Sequence, residues 1–465
     1  MKFTLKQLAA ALSSASITAD AEIFGLSTDS RKINAGDVFV ALRGEKFDAH
    51  DFLPQVAATG ASAVIAEHLP DDFNLPALVV PDTKMALAEV GRFWRQQFTL
   101  PVIGVTGSNG KTTVKEMIAS ILATAFGENQ RLSTRGNLNN EIGVPLTVLE
   151  LASSHQAAVI EMGMNHPGEI ALLASVALPT VVLVNNAQRE HQEFMQTVRA
   201  VAEENGAAIR ALPDDGIAVF PHDDEYSSLW RTYAHERGHR KVISFGLTSD
   251  AEVSGSYTAN VFGSHVNISI DGKISSIQLQ AAGQHNVLNA LAAAACCHAI
   301  GISDDLIVRG LESFHPVSGR LQRKQAISGA TVIDDTYNAN PDSVRAAIDV
   351  LRQLGGDTVL VLGDMGEVGE NGAEFHQEIG EYARASGIAS LFLLGDQVSH
   401  SAVGYGIGAT FFPDIAHLLT ALDARVSSDT KVLIKGSRFM KMERVVAHLT
   451  NAADISTQQK TIGIH

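Results

Sequence analysis

The sequence predicts an α/β protein of three domains: a small α/β N-terminal domain, a central domain with a mostly parallel sheet, and a C-terminal domain of repeated strand–helix units. Three observations predict it. The chain has 465 residues, 45% of them hydrophobic, more apolar material than one core can hold, so two to four cores are expected. Its strongest apolar runs are short and continuous rather than alternating, the pattern of parallel strands covered on both faces. Stretches of helical periodicity separate these runs, which places helices between the strands.

The first region, residues 1–99, opens with MKFTLKQLAAALSSA. Leu5, Leu8, Ala9 and Leu12 share a helical face, while Lys6 and Gln7 interrupt the apolar stretch. An amphipathic helix is expected there rather than a secretory leader. Short strands follow at VFVAL and AVIAE, and a helix is expected over 84–98, before the break at Leu100-Pro101. The second region, residues 100–315, begins with the strand VIGVT, a Gly-rich loop and a helix on which Val114, Met117, Ile118, Ile121 and Leu122 lie together. AAVIEM and VVLVNN read as further buried strands. VNISIDGKI alternates instead, and its Asp271-Gly272 is a hairpin-turn dipeptide, so an antiparallel flank is expected. The third region, residues 316–465, repeats TVIDD, TVLVLGD, SLFLLGD and KVLIKGS with helical stretches between them, a doubly wound, Rossmann-like α/β pattern. It carries no GxGxxG, so no dinucleotide-style site is expected in it.

The formal net charge of −16 argues against nucleic acid as the main partner, because a phosphate backbone needs a basic face. Cys296 and Cys297 are adjacent in an Ala-rich run; they suit a reducing compartment and helix packing rather than a disulfide. No segment approaches the length of a membrane span, so no membrane insertion and a cytoplasmic location are expected.

The Gly-rich loop is Thr106-Gly107-Ser108-Asn109-Gly110-Lys111-Thr112-Thr113, between a strand and a helix. Glycines there let successive N–H groups turn toward an anion, and the helix N-terminus adds its dipole. Lys111 is placed to reach the β- and γ-phosphates of a nucleotide, and Thr112 to ligate Mg²⁺. Compared with GxxxxGK[ST] the loop is shorter, since Val105 stands where the first glycine would. A chance Gly-Lys-Thr turn is the bland alternative, which the flanking strand and helix disfavour. The central domain therefore reads as a P-loop mononucleotide-binding domain with Mg²⁺, which alone leaves kinase, ATPase, GTPase and ligase open. Glu161 ends a buried strand where a carboxylate would meet the metal. His191 follows the next strand, at the sheet edge where ligands bind, and is a candidate for a second metal. Their bland readings are a solvated strand-end Glu and a structural His.

With these residues in place the chain resembles the Mur ligases along its whole length. The resemblance is carried by TGSNGKTT, DSR with AGDVFVALRGEKFDAHDF, TRGNLNNEIGVPLTVL, EMGMNHPGEI, GQHNVLNALAA, SGR, DDTYNANPDS and VLIKGS. It implies an ATP-dependent amide ligase, with ATP as the cofactor, in which the substrate carboxylate takes the γ-phosphate as an acyl phosphate before an amine attacks. The DSR block, GNLNNEIG and DDTYNANP select the activity that joins D-alanyl-D-alanine to UDP-N-acetylmuramoyl-tripeptide. The resemblance further implies that Thr112 and Glu161 hold one Mg²⁺ and His191 a second, with Lys111, Glu161 and His191 catalytic. It implies Asn286 at the adenine, Arg320 at the phosphates and Asp335 at the ribose. Ser27, Thr28, Asp29, Ser30 and Arg31 would meet the uridine diphosphate, and Asn137, Asn139 and Asn140 the sugar and peptide. Bland readings stand beside these: asparagines that form turns, Gly319-Arg320 as a hinge, and Asp334-Asp335 as a cap for a helix after Pro341.

One departure is visible. Relatives carry a lysine about one helix after the metal-binding histidine, modified to a carbamate that helps the second Mg²⁺. Alignment on His191 puts Asn205 there, which cannot be carbamylated, so the second Mg²⁺ is either held differently, with Glu203 or Glu204 as candidates to compensate, or bound more weakly. Three competing activities remain: a folylpolyglutamate synthetase-like ligase, disfavoured by the hundred or so residues before the loop; a P-loop ATPase; and a non-catalytic binding module. A monomer is expected, as is closure of the third domain onto the second when ATP binds.

Overall fold

The computed structural model describes residues 2–44, 46–260 and 263–450; residues 451–465 of the third region lie outside the described residues. Among the described residues three main sheets form, each flanked by helices, and no helix is long and apolar enough to cross a membrane.

The first sheet holds β1 (Ser16–Ile17), β2 (Gly25–Ser27), β3 (Asp37–Val40), β4 (Ala63–Ala66) and β5 (Ala77–Val79) in the order β1-β5-β4-β3-β2, parallel except for β1. Helix α1 (Leu5–Ala11) buries Leu5 and Leu8 against it. Gln7, which breaks the apolar run in sequence, closes a capping box: its side chain accepts from Thr4 N–H while Thr4 Oγ1 accepts from Gln7 N–H. Helix α2 (Thr83–Arg95) starts on an Asp82 cap. It ends before residue 98 because the buried Arg95 guanidinium donates to the carbonyls of Phe98, Leu100, Ala177 and Leu178. Those bonds fasten the first domain to the second.

The second sheet contains β6 (Val102–Thr106), β7 (Arg131–Ser133), β8 (Ala157–Glu161), β9 (Val181–Val184), β10 (Ile217–Pro221), β11 (Lys241–Gly246), β12 (Val253–Asn260), β13 (Gly263–Ile270) and β14 (Lys273–Leu279). Their order is β14-β13-β12-β11-β10-β9-β6-β8-β7. The continuous apolar runs β6, β8 and β9 are central, parallel and buried throughout. The alternating segment forms the antiparallel flank β12–β14, whose hairpin turn has Asp271 and Gly272 both at positive φ, +49° and +77°. Helix α3 (Lys111–Phe126) buries Val114, Met117, Ile118, Ile121 and Leu122 in one core. Helices α4 (Glu169–Ala177) and α5 (Val198–Arg210) cover the opposite face. Cys296 and Cys297 sit fully buried on α6 (Gln284–Ala299), where burial raises both thiols.

The third sheet consists of β15 (Gln322–Gln325), β16 (Thr331–Asp335), β17 (Thr358–Gly363), β18 (Ser390–Leu394), β19 (Ala409–Phe412) and β20 (Lys431–Lys435), ordered β15-β16-β20-β17-β18-β19 and parallel except for β15. Helix α7 (Pro341–Leu354) is capped by Asn340 with Ser343, not by the Asp334-Asp335 pair. Those aspartates end a strand and are committed elsewhere, Asp334 to Lys324 and Thr336, Asp335 to Lys435. The carboxyl ends of β6, β8 and β9 face those of β16 and β20 across a cavity, where open α/β sheets bind ligands.

Candidate active site

The phosphate loop follows β6. Gly107 has φ +130° and Gly110, the residue before α3, has φ +81°. A Cβ on Gly110 would lie 2.6 Å from Asn289 Oδ1, so both conformation and space require glycine there. An asparagine lattice holds the turn. Asn186 Oδ1 accepts from Asn109 N–H at 2.9 Å, and Asn185 Nδ2 donates to Asn109 O at 2.8 Å and to Asn289 Oδ1 at 2.9 Å. Lys111 folds back over the loop: its Nζ donates to Gly107 O at 2.5 Å, to Ser108 O at 3.1 Å and to Glu190 Oε1 at 2.7 Å.

The candidate metal residues gather beside it. Thr112 Oγ1 donates to Glu161 Oε1 at 3.1 Å, and Asn139 Nδ2 donates to the same oxygen at 2.8 Å. Glu161 is 2% exposed, and its Oε2 is buried with no hydrogen-bond partner. His191 has φ +47°, a strained conformation for a residue with a side chain. Its Nε2 is 3.5 Å from Glu190 Oε1 and its Nδ1 is 2.5 Å from Glu367 Oε2. Burial works against the imidazolium, but the flanking Glu190 and Glu367 carboxylates hold it up at about 9. The bare Glu161 Oε2 and the Thr112 hydroxyl are oxygen donors of the kind a hard divalent cation takes alongside nucleotide phosphates, so these two fit Mg²⁺, and the His191 imidazole can join them only on giving up its proton.

The third domain completes the cavity. Arg320 Nη2 donates to Thr112 Oγ1 at 2.8 Å while its guanidinium lies over the Tyr337 ring at 4.1 Å. Asp335 Oδ2 pairs with Lys435 Nζ at 2.5 Å and its Oδ1 accepts from Leu321 N–H. Asn340 Nδ2 donates to Asn109 Oδ1 at 2.9 Å. Arg189 forks onto Asp342 and Glu378, a clamp across the two domains. The third domain is thus docked on the second.

Ser108, Asn109, Gly110, Lys111, Thr112, Thr113, Asn139, Asn140, Glu161, His191, Asn286, Arg320 and Asp335 all line this one cavity. Gly107 and Asn137 do not, nor does the segment Ser27, Thr28, Asp29, Ser30 and Arg31, which forms a separate turn at the end of β2. In that turn Asp29 forks Arg31 at 2.8 and 2.9 Å, and this bond, more than burial opposes it, holds the carboxyl at about 2. Asn140 Oδ1 accepts from Gly143 N–H as a turn former, whereas Asn139 orients Glu161. Asn205 is fully buried beneath the loop, its Oδ1 accepting from Thr106 Oγ1 at 2.5 Å and from Gly107 N–H at 3.0 Å. Neither neighbour stands in for a carbamate. Glu203 pairs with Arg199, and Glu204 accepts from Gly168 and Ile170 N–H at the start of α4. Sequence reasoning missed Glu190, Glu367, Arg189 and Lys435. Only Glu190, next to His191, and Lys435, in the KGS block, left a local signal.

Comparison with known proteins agrees with this geometry. The chain matches the Mur ligase family, catalytic domain, over residues 22–91, the Mur ligase middle domain over 105–297, and the Mur ligase, glutamate ligase domain, over 319–438. It is 39% identical to the UDP-N-acetylmuramoyl-tripeptide--D-alanyl-D-alanine ligase of Escherichia coli K12, covering 96% of this chain and 98% of that one. Its fold superposes on MurF from Acinetobacter baumannii with a TM-score of 0.90 at 35% identity, over 97% and 99% of the two chains. The MurF ligase of Thermotoga maritima, solved with ADP, superposes at 0.82 with 27% identity over 93% and 98%. A three-domain α/β chain whose phosphate loop meets residues of the third domain, matched end to end by such relatives, is a member of the Mur ligase family.

Proposed function

We infer that this chain joins D-alanyl-D-alanine to UDP-N-acetylmuramoyl-tripeptide with ATP, giving the pentapeptide precursor of peptidoglycan, ADP and phosphate. The observation that carries the reading is the single cavity in which the phosphate loop of the second domain meets Arg320, Asp335 and Lys435 of the third. A P-loop ATPase would need no added amine acceptor. The end-to-end likeness to a D-alanyl-D-alanine ligase favours that acceptor over a folate substrate.

The tripeptide carboxylate attacks the γ-phosphorus of ATP, forming an acyl phosphate and releasing ADP. The amine of D-alanyl-D-alanine then adds to the acyl carbon, and phosphate leaves as the amide forms. Lys111 leaves its carbonyl partners for the terminal phosphates and, with Arg320, offsets charge gathering on the phosphoryl oxygens. Asn139 keeps Glu161 turned toward the cavity. Thr112, Glu161 and His191 are the residues that would hold Mg²⁺, which supplies charge neutralisation at the transferring phosphoryl group. Gly107 to Thr113 cradle the phosphates, Asn286 meets the adenine and Asp335 the ribose. Ser27 to Arg31 take the uridine diphosphate end, and Asn137 and Asn140 line the path of the sugar and peptide. We assign residues 1–99 to substrate binding, 100–315 to ATP and 316–465 to the ligase domain. We take a monomer as the working unit, and dependence on ATP supports a cytoplasmic location.

Mass spectrometry of a reaction holding ATP, the UDP-tripeptide and D-alanyl-D-alanine tests this. The pentapeptide appears only with all three present, and Lys111→Ala slows it on the order of a thousandfold. Phosphate release that ignores both peptide substrates would refute the reading.

A further inference from the structure

We propose that Glu190 ligates a divalent cation beside His191 when the nucleotide is bound, and that in the empty site it serves as the counter-ion of Lys111. The inference rests on the reading of the loop as an ATP site. Glu190 is 8% exposed, and its Oε2 is buried with no hydrogen-bond partner. Its Oε1 is 2.7 Å from Lys111 Nζ and 3.5 Å from His191 Nε2, and the residue lines the same cavity as Glu161.

A buried carboxylate with a bare oxygen is costly unless a cation or hydrogen bonds offset its charge, and among the described residues Glu190 has no hydroxyl or amide partner of the kind Glu161 has in Thr112 and Asn139. In the empty site that cation is Lys111. A nucleotide removes it, because the P-loop ammonium turns to the phosphates. Glu190 then keeps only the His191 imidazolium, 3.5 Å from Oε1 and shared with Glu367, and nothing on Oε2, close to newly arrived phosphate charge. A cation delivered with the nucleotide resolves this, since Mg²⁺ binds through one or two carboxylates plus phosphate oxygens rather than in an all-protein cage. Among the described residues no three His, Cys, Asp or Glu side chains make such a cage. The other candidates for the task are committed: Asn205 to Thr106 and Gly107, Glu203 to Arg199, Glu204 to the start of α4. Glu367 Oε2 lies 2.5 Å from Nδ1 of His191, which leaves Nε2, the nitrogen facing Glu190, as the ligand atom once the metal displaces its proton. Glu190 thereby couples loss of its lysine partner to gain of a metal.

The test is Mn²⁺ titration followed by electron paramagnetic resonance, with a non-hydrolysable ATP analogue at saturation. It compares the parent, Glu190→Gln and Glu190→Asp, with melting temperatures checking that each folds. The parent is expected to bind two Mn²⁺. Glu190→Gln keeps one and binds the second at least about tenfold more weakly, the loss seen even for an outer partner of a metal ligand. Glu190→Asp, which retains the charge, recovers the second. The proposal is overturned if the parent binds a single Mn²⁺, if Glu190→Gln binds both as the parent does, or if Gln and Asp give equal counts. The Gln variant mimics a protonated Glu190, so a proton in place of the metal would leave its count unchanged. Failure of the parent to bind the analogue at all would instead reject the ATP site itself.

Discussion

Replacing Asn205 by leucine isolates what the buried amide beneath the phosphate loop does. Leucine keeps the same branching at Cγ, with bulkier methyl groups, but accepts no hydrogen bond. Thr106 O–H and Gly107 N–H, both now bonded to Asn205 Oδ1, would be left facing an apolar side chain. Each buried donor stripped of its partner costs about 1–3 kcal/mol, so the pair costs about 3 kcal/mol. The amide's other bond, from Nδ2 to Val201 O, is a smaller loss because that carbonyl also takes the helical N–H of Asn205. The loss falls on the two residues that open the loop, so nucleotide affinity drops together with stability. Urea unfolding is the assay, followed by fluorescence of Trp230, whose indole N–H donates to Ala202 O on the same helix as Asn205. Calorimetric titration with an ATP analogue gives the second readout. An Asn205→Leu protein with the parent's unfolding midpoint and the parent's affinity would refute the brace.

Two further perturbations are decided by the structure. Arg189→Ala removes the fork that ties Asp342 to Glu378 and strands Asp342 without its cation, while Glu378 keeps Arg345; a partly buried charge of this kind costs about 2 kcal/mol to strand, shifting the docking equilibrium toward the open form by roughly thirtyfold. Energy transfer between dyes on the second and third domains should fall in the nucleotide-free variant, and an unchanged signal would remove the clamp role. His376 is fully buried, accepts from Met365 N–H at Nε2 and bonds Gly372 O through Nδ1, and burial lowers it from its ordinary 6.5. The unfolded chain therefore binds the extra proton, and the stability this neutral ring contributes is present above pH 6.5 and is lost as pH falls below it. Between pH 7 and 5 the third domain should lose more stability in the parent than in His376→Gln; parallel profiles would refute the assignment.

Much of the fold was legible because its strands are local and apolar. VIGVT became β6 residue for residue, and the Asp271-Gly272 dipeptide became the hairpin turn. The loop was legible for the same reason: its chemistry lies within eight consecutive residues. Contacts across long stretches of chain left no such mark. Arg189 meets a carboxylate 153 positions away, Lys435 meets Asp335 across 100, and Asn205 reaches Thr106 across 99. Asn205 was visible only as a departure from relatives, and its actual task follows from where α5 passes beneath β6. The resemblance puts Asn139 at the sugar and peptide; its Nδ2 also donates to Glu161, a partner that no periodicity predicts.

The carbonyl cage around Arg95 bears on how the molecule can flex. With one guanidinium holding the end of α2 and the end of α4 together, the N-terminal unit cannot pivot freely against the loop domain. Whatever grips the far end of a long precursor is then anchored at a set span from the nucleotide. Reach becomes a built-in ruler for substrate length, and any opening of the cavity falls to the C-terminal unit, held to the loop domain by the Arg189 fork.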